Sequence, residues 1–400
     1  NQWTFGVSAS QNIFNGGKIA AQTAAANAGR RSAELELTAQ RAQIILDVTQ
    51  AYYDAALADR LLAIAEGSFT QTERVFQQTQ LAKNVGTTSE FELLRAQVTR
   101  DNQRPLVIQR RSDREVGYLR LKQLLNIPLT QPVSLSTAID DAATLPSGIQ
   151  LTGLSVSEPT APDTASSHRS SVRQAAEAVR VQQSQVKIAR AERIPSLTLS
   201  SQYGGVAYPL SGLPSRSDFR ANWTLTVATQ FPIFTGGRIH GDELVAQANL
   251  AESRARLQQV TEFAALDAQV AINALNQAAA AWQASQGTAQ QAARAYTIAE
   301  VRYKEGISTQ VELNDSRLLV EQATANSALA ARNLQVARIK LALLPNLPLQ
   351  SATSSFASQQ SQSQQQSTQQ STQPQQQQQP QQQGQTQSGI LANQQIPPGL

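Results

Sequence analysis

The 400-residue sequence carries a net charge of +4, contains no cysteine and only two histidines, and is 40% hydrophobic but only 5% aromatic. The lack of cysteine excludes disulfide bonds, thiolate metal sites and thiol catalysis, and two distant histidines disfavour a histidine metal site or triad. The small charge, without a basic run that interleaves aromatic residues, disfavours nucleic-acid binding. No stretch approaches 18 consecutive apolar residues, so no transmembrane helix is predicted.

The chain begins with an alternating segment that leads into a long helical hairpin. Residues 3–13 alternate apolar and polar side chains, which predicts a strand. After a glycine pair, a stretch without proline reaches about residue 84 and predicts a helix roughly 100 Å long, at 1.5 Å per residue. Gly86 breaks this helix, and a second helix runs back to end near Pro128. Together the two helices predict a hairpin over about 18–126.

The second half of the chain follows a linker over 130–167, which is rich in Pro, Ser and Thr. Residues 168–193 carry apolar side chains at helical spacing, and Pro195 stops that helix. Two alternating segments, at about 196–206 and 222–233, predict strands that are joined by a loop of turn-forming residues.

A second helical hairpin is predicted over about 238–344, with its turn at Gly306. The two halves share one ungapped register, because Gly236 follows Gly16 by the same offset that separates three other pairs (236 − 16 = 220): Trp3 and Trp223, Gly86 and Gly306, and Pro128 and Pro348. The chain is therefore a tandem duplication, divided into a first repeat, a linker, a second repeat and a Gln-rich tail at 1–129, 130–167, 168–349 and 350–400.

Each predicted strand is about ten residues long, with one apolar face and one face of Ser, Thr and Gln. This length suits a tilted strand that crosses a bilayer, and the alternative is a soluble hairpin whose apolar face covers a core. The remaining sequence is long helix and supplies no obvious second sheet, which weakens the soluble alternative. Aromatic residues near the strand ends fit either an interfacial belt or ordinary strand aromatics: Trp3, Tyr203, Tyr208 and Trp223.

This arrangement resembles the TolC family of outer-membrane efflux proteins, also called outer membrane factors. The resemblance covers about residues 1–349 and is carried, in order, by "NIFNGGKI" (12–19), "DVTQAYYDAALA" (47–58), "LAKNVGTTSEFELLRAQ" (81–97), "IPSLTLSSQYG" (194–204), "FPIFTGGRI" (231–239) and "AEVRYKEGISTQVELNDSR" (299–317). It implies a mainly α fold with a small β part. Long α-hairpins from three chains would form an α-barrel, and strand hairpins would contribute to a shared 12-stranded β-barrel in the outer membrane.

Only three strands are predicted for this chain, whereas such a barrel needs four from each of three chains. Nine strands would be an odd number, which antiparallel closure disfavours. Residues 168–222 also have no counterpart in the first repeat. We therefore expect the sequence to be part of a longer mature protein, with a helix and a strand before residue 1.

The resemblance implies a passive exit channel of a tripartite efflux pump or type I secretion system, with no cofactor and no catalysis. Expected partners are two further copies in a homotrimer, a periplasmic adaptor (membrane fusion) protein, an inner-membrane pump of RND or ABC type, and outer-membrane lipid, but no nucleic acid. The helices and the tail would lie in the periplasm of a Gram-negative-type cell. The alternative is a soluble periplasmic coiled-coil scaffold or adaptor, but an adaptor would need one hairpin and a separate β-domain.

The turns of the two helical hairpins are the first candidate site. Gly86 and Gly306 permit the positive φ that ends one helix, and Ser or Thr residues cap the next. The resemblance implies that these turns also dock the adaptor, so the candidate contacts are Val85, Gly86, Thr87, Thr88, Gly306, Ile307, Ser308 and Thr309.

Two acidic residues after the second turn, Glu312 and Asp315, share a helix face because they are three residues apart. The resemblance places pore-constriction acids here, where three copies would form carboxylate rings that favour cations; the alternative is an ordinary solvated face. Glu92 and Tyr303 match positions whose hydrogen bonds hold the tip closed. Ser308 replaces an expected arginine, so we expect a weaker or differently arranged closure.

Strand-to-helix turns and the tail complete the expectations. We expect chain reversals at Gly16, Gly17, Pro195, Gly236 and Gly237. Residues 351–400 contain 21 Gln and no charged residue, which predicts a disordered periplasmic tail. The loop over 209–219 is expected to be extracellular.

Overall fold

Four long helices and a three-stranded sheet dominate the computed structural model, which describes residues 2–136, 139, 150–151, 154–155, 166–208, 215 and 218–349. The elements follow the chain as β1 (Trp3–Phe14), α1 (Lys18–Asn84), α2 (Glu90–Leu124), β2 (Gln150–Leu151), β3 (Leu154–Ser155), a 3-10 turn (Ser166–His168), α3 (Ser170–Ala191), β4 (Ser196–Ala207), β5 (Arg220–Gln230), α4 (Arg238–Lys304) and α5 (Gln310–Leu343). The predicted class, mainly helical with a small β part, is confirmed.

The two helical hairpins are near copies of each other. Helices α1 and α4 each contain 67 residues, and both their first and last residues are separated by the 220-residue offset. At 1.5 Å per residue, each helix is about 100 Å long. The return helices α2 and α5 contain 35 and 34 residues. The duplication inferred from the glycines therefore holds in three dimensions.

The sheet is antiparallel in the order β1–β4–β5. Its register pairs Tyr203 with Val7 on one side and with Trp223 on the other. Within the described residues the sheet carries a single charged side chain, Arg220 at the start of β5. The apolar face is not covered, because its large side chains remain exposed: Trp3, Phe5, Val7, Tyr203, Trp223, Leu225 and Val227.

Strand β5 ends at Gln230, which corrects the predicted end at residue 233. Pro232 has no N–H to donate to a neighbouring strand, and the partner strand β4 begins at Ser196, opposite Gln230. The first repeat has Asn12 at the equivalent position, and β1 continues past it through a bulge to Phe14. Equivalent strands of the two repeats therefore end at different positions, although the offset between the repeats is the same.

The helices pack as an open arc rather than a closed bundle. Helix α1 contacts α2, α3 and α5, whereas α4 contacts α3 and α5. The contacts are rich in alanine, which lets helices approach closely. One core cluster, for example, joins α1 to the end of α5: Ala42, Ile45, Leu46, Ile339, Leu343 and Leu347.

Helices α3 and α5 meet end to end between the two long helices. The backbone N–H of Ser170 donates to the carbonyl of Pro345 at 2.8 Å. The adjacent Arg169 is only 1% exposed and pairs with Asp267 of α4 at 2.7 Å. The two shorter helices thus form one column between α1 and α4.

Several predicted segments fall partly or wholly outside the described residues. These are most of the linker over 130–167, most of the loop over 209–219, and the tail over 350–400. The division of the chain at those segments stays a prediction. Among the helices that are described, none combines the length and hydropathy needed to cross a membrane.

Candidate functional site

The two hairpin turns are built alike, from a glycine that ends one helix and a hydroxyl that caps the next. Gly86 and Gly306 have φ of 80° and 71°, and the N–H groups of the following residues reach back to carbonyls of the preceding helix, as in a Schellman motif. Ser89 and Thr309 then accept hydrogen bonds from the third N–H of their helices, at 3.3 and 3.4 Å.

Each turn exposes one large apolar side chain. Val85 is 77% exposed and Ile307 is 68% exposed. Among the other candidate contacts, Thr88 and Ser308 are half-buried, and the rest are exposed: Gly86, Thr87, Gly306 and Thr309. Exposed apolar residues at the end of a long hairpin suit a protein contact, but the adaptor role of these residues stays a prediction.

A groove between the two turns brings together the residues predicted to hold the tip closed. Glu92 and Tyr303 both line it, together with Ser308 and Gln310. The side chain of Gln310 is 2% exposed, and its amide donates to the Glu92 carboxylate at 2.8 Å in the orientation that its neighbours require. Within the described residues, the Tyr303 hydroxyl and the Ser308 hydroxyl have no hydrogen-bond partner. The contact between hairpins therefore uses Gln310, which the sequence did not single out.

The two predicted pore acids have different surroundings. Glu312, on the first turn of α5, forms an ion pair with Arg302 on the last turn of α4 at 2.9 Å, and both side chains are about half exposed. Asp315 is exposed and makes no ion pair or hydrogen bond with any described residue. Their position at a pore constriction stays a prediction.

The exposed face of α5 is a single stripe, on the side opposite the linker. Leu135 and Ile139 of the linker pack near Ala328 and Ala331 of α5. At 100° per residue, the opposite side carries the exposed residues, which recur every three or four positions: Asp315, Leu319, Gln322, Asn326, Leu329 and Asn333. Both predicted pore acids lie on this side.

The strand-to-helix turns have the same backbone geometry in both repeats. The φ angles are 62° and 83° for Gly16 and Gly17, and 59° and 84° for Gly236 and Gly237. Pro195 comes between the end of α3 and the start of β4, as predicted. These turns therefore need glycine for its access to positive φ.

The residue that follows helix α3 holds the starts of both long helices through its carboxylate. Glu192 pairs with Lys18 and with Arg238, each at 3.2 Å. Lys18 and Arg238 are equivalent residues of the two repeats. The hydrogen bond from Lys18, followed by that from Arg238, lowers the pKa of Glu192. Within α3, the Glu177 carboxylate pairs with Arg31 at 2.8 Å, and this bond lowers the pKa of Glu177.

A buried arginine joins the hairpins nearer the turns. Arg317 is 5% exposed; it donates to the hydroxyl of Ser68 on α1 and to Glu321 on its own helix at 3.0 Å. Burial lowers the pKa of Arg317. The sequence shows Arg317 and Glu321 four residues apart on one helix, but nothing in it indicates the contact with Ser68 of α1. Within the described residues, no group of three or more His, Cys, Asp or Glu side chains is arranged to hold a metal ion.

Long helical hairpins continued by an exposed antiparallel sheet define the class of outer-membrane channels. The structure is similar to that of CusC, with a TM-score of 0.70 and 20% identity over 86% of this chain and 77% of that one. It is also similar to the CmeC outer membrane channel of Campylobacter jejuni, with a TM-score of 0.67 and 17% identity over 90% of this chain and 81% of that one. At these identities the likeness shows the fold.

A family model for the outer membrane efflux protein matches residues 1–126 and 161–347. The chain belongs to this family, which confirms the predicted resemblance and the outer-membrane location. The members of this family are transport channels rather than enzymes. Membership therefore favours the channel over the alternative of a soluble scaffold or adaptor.

One relative is the pyoverdine export outer membrane protein OpmQ of Pseudomonas putida. It is 23% identical over 286 residues, which are 70% of this chain and 57% of that protein. The chain thus spans little more than half the length of this curated relative.

Proposed function

We propose that the chain is the outer-membrane exit channel of a tripartite efflux pump or type I secretion system. The observation that carries this proposal is the pair of long hairpins, packed as an open arc and continued by a sheet whose apolar face is uncovered. A channel of this kind conducts passively, so it needs a polar interior and an end that opens, and no catalytic group.

The open arc supports a homotrimer. In the half nearer the turns the contacts run α2–α1–α5–α4, so α2 and α4 form the two edges. Both edges expose large apolar side chains, among them Phe91, Leu94 and Val98 on α2 and Ile298 and Val301 on α4. Three copies would cover these edges by packing α2 of one chain against α4 of the next, which closes a ring under three-fold symmetry.

The sheet supports a lipid-facing barrel shared by the three chains. Its strands have 11 or 12 residues, long enough to cross the bilayer when tilted. The uncovered face carries the apolar side chains, and the other face carries hydroxyl and amide groups such as those of Ser200 and Gln202. Membrane barrels place these faces toward lipid and toward a water-filled interior. Twelve strands would need a further strand from each chain.

The stripe along α5 supports a pore that Glu312 and Asp315 face. Leu135 and Ile139, which are described residues of the linker, pack on one side of the helical arc, and the stripe lies on the other side. If the linker surrounds the helices as an outer belt, the stripe lines the interior, and three copies bring the carboxylates into rings that favour cations.

The contact between Glu92 and Gln310 supports a gate at the hairpin turns, with Tyr303 in the same groove. Breaking this contact would loosen the two hairpins from each other at their tips. The exposed turns would then meet a periplasmic adaptor, which links the channel to an inner-membrane pump.

The gate is tested by dye influx into cells that express the Gln310→Ala variant. A dye normally excluded by the outer membrane is expected to enter faster than with the wild-type channel. The matched control is Gln80→Ala, an exposed glutamine near the same turns with no described partner. Equal influx for both variants and the wild type would rule out this gate.

The channel itself is tested by cell fractionation and by mass measurement in detergent. The protein is expected in the outer-membrane fraction after a urea wash, with a protein mass three times that of the single chain, which is 43.1 kDa for this sequence. Recovery as a monomer without detergent would contradict the proposal.

A further inference from the structure

The ion pair between Arg302 and Glu312 lies beside the predicted pore constriction. Arg302 is four residues before Gly306 and Glu312 is six residues after it, so the turn brings them together across the hairpin. Their charged atoms are 2.9 Å apart, well within the distance of an ion pair. One turn further along α5, the Asp315 carboxylate is exposed and has no partner among the described residues.

The first repeat lacks this arrangement. The residues equivalent to Arg302 and Asp315 are Ala82 and Arg95, so only the second hairpin places a cation against an acid of the predicted constriction. Glu92, the equivalent of Glu312, is instead contacted by the uncharged Gln310. The first turn has a pair of its own, between Lys83 and Glu90 at 3.6 Å, but Glu90 is not the equivalent of Glu312. Pairing of the acid at this position with a cation is therefore particular to the second hairpin.

We propose that Arg302 is a specificity-determining residue of the channel, because it neutralises Glu312 and leaves Asp315 as the carboxylate that selects cations. This inference rests on the proposed function, since it requires Glu312 and Asp315 to face the pore. A paired carboxylate attracts a passing ion less, because the guanidinium charge offsets its own at almost the same distance. The ring of Asp315 side chains then sets the cation preference, and the ring of Glu312 side chains adds little.

The test is single-channel recording in planar bilayers, with reversal potentials in a KCl gradient and block by Mg²⁺. Asp315→Asn is expected to reduce the cation preference, whereas the double variant Arg302→Gln/Glu312→Gln, which removes the pair and keeps the net charge, is expected to leave it close to that of the wild type. Glu312→Gln alone leaves the Arg302 charge unpaired, so it should also lower the cation preference. Arg302→Gln is expected to strengthen Mg²⁺ block by about fivefold for each of the three carboxylates that it releases in the trimer, which is the effect of one unit charge about 8 Å from a divalent ion in water. The increase should disappear in the double variant Arg302→Gln/Glu312→Gln, because no carboxylate remains to be released.

The matched control is Lys304→Gln, which removes a cation of the same hairpin that pairs with Glu300 rather than with Glu312, at 3.0 Å. It should change Mg²⁺ block less than Arg302→Gln does. The inference is overturned if the double variant Arg302→Gln/Glu312→Gln weakens cation preference as much as Asp315→Asn does, or if Arg302→Gln has no effect on a conducting channel. A wild-type protein that never conducts would overturn the proposed function, and this inference with it.

Discussion

Replacing Gly16 with alanine tests how the sheet is joined to the helices. Gly16 has a φ of 62°, and a Cβ atom added there would lie 2.9 Å from Cβ of Ile194 and 3.0 Å from the carbonyl oxygen of Ala191. Gly17 is the matched control, because its φ is 83° but an added Cβ would meet no atom within 4 Å. Both substitutions impose left-handed backbone strain, and only Gly16→Ala adds a steric clash.

The expected difference follows from these two contributions. A left-handed backbone at alanine lowers the free energy of unfolding by about 1–2 kcal/mol, and both variants should show this loss. Overpacking lowers the free energy of unfolding by about 1–3 kcal/mol more. Only Gly16→Ala should show this further loss, because the backbone at Ala191 and the branched side chain of Ile194 must move. At about 2 °C per kcal/mol for a large chain, Gly16→Ala should unfold about 2–6 °C below Gly17→Ala.

Thermal unfolding of both variants in detergent, followed by helical circular dichroism at one scan rate, measures this difference directly. Equal unfolding temperatures would refute the close contact between the first glycine pair and the end of α3. A lower temperature for Gly17→Ala would refute the assignment of the clash to Gly16.

Three further predictions concern the helices. Glu177→Gln should lower the free energy of unfolding at neutral pH by about 1.5–3 kcal/mol. Since the bond from Arg31 lowers the folded-state pKa of Glu177, the ion pair stabilises the fold above the ordinary pKa of 4.5, and this stabilisation is lost as the pH falls below that value. Denaturant titrations should therefore show a smaller loss of stability on the acid side in the variant than in the wild type. An unchanged pH dependence would count against the pair. Arg317→Ala should cost about 3–5 kcal/mol in the same titration, because it leaves a partly buried carboxylate unpaired, and a loss under 1 kcal/mol would contradict this. Pro105→Ala should raise the unfolding temperature, because Pro105 is exposed inside α2 and cannot donate to the carbonyl of Asp101; a lower temperature would mean that the proline is needed there.

Helix and strand positions were predictable because they follow from local periodicity and from glycines. The helix predicted over 168–193 is observed at Ser170–Ala191, and the long helices begin directly after their glycine pairs. The end of β5 was predicted too late, since alternation continues past Gln230 while the hydrogen-bonding partner does not. A pattern of side chains thus fixes which face is apolar, but the neighbouring strand decides where pairing stops.

Contacts between distant residues were not predictable in the same way. Glu192 and its partner Lys18 are 174 positions apart, and nothing in either local pattern specifies the other. The Arg302–Glu312 pair had a usable signal, because residues at similar distances from a turn glycine face each other across an antiparallel hairpin. Lys83 and Glu90 follow the same rule around Gly86, at 3.6 Å.

The central claim is that this chain forms a channel through the outer membrane, and single-channel recording of the purified protein in planar lipid bilayers tests it most directly. We expect discrete, uniform conductance steps whose cation preference falls in Asp315→Asn. Bilayers that stay silent when the protein has inserted as a trimer, or steps that do not respond to any substitution on the exposed stripe of α5, would contradict it.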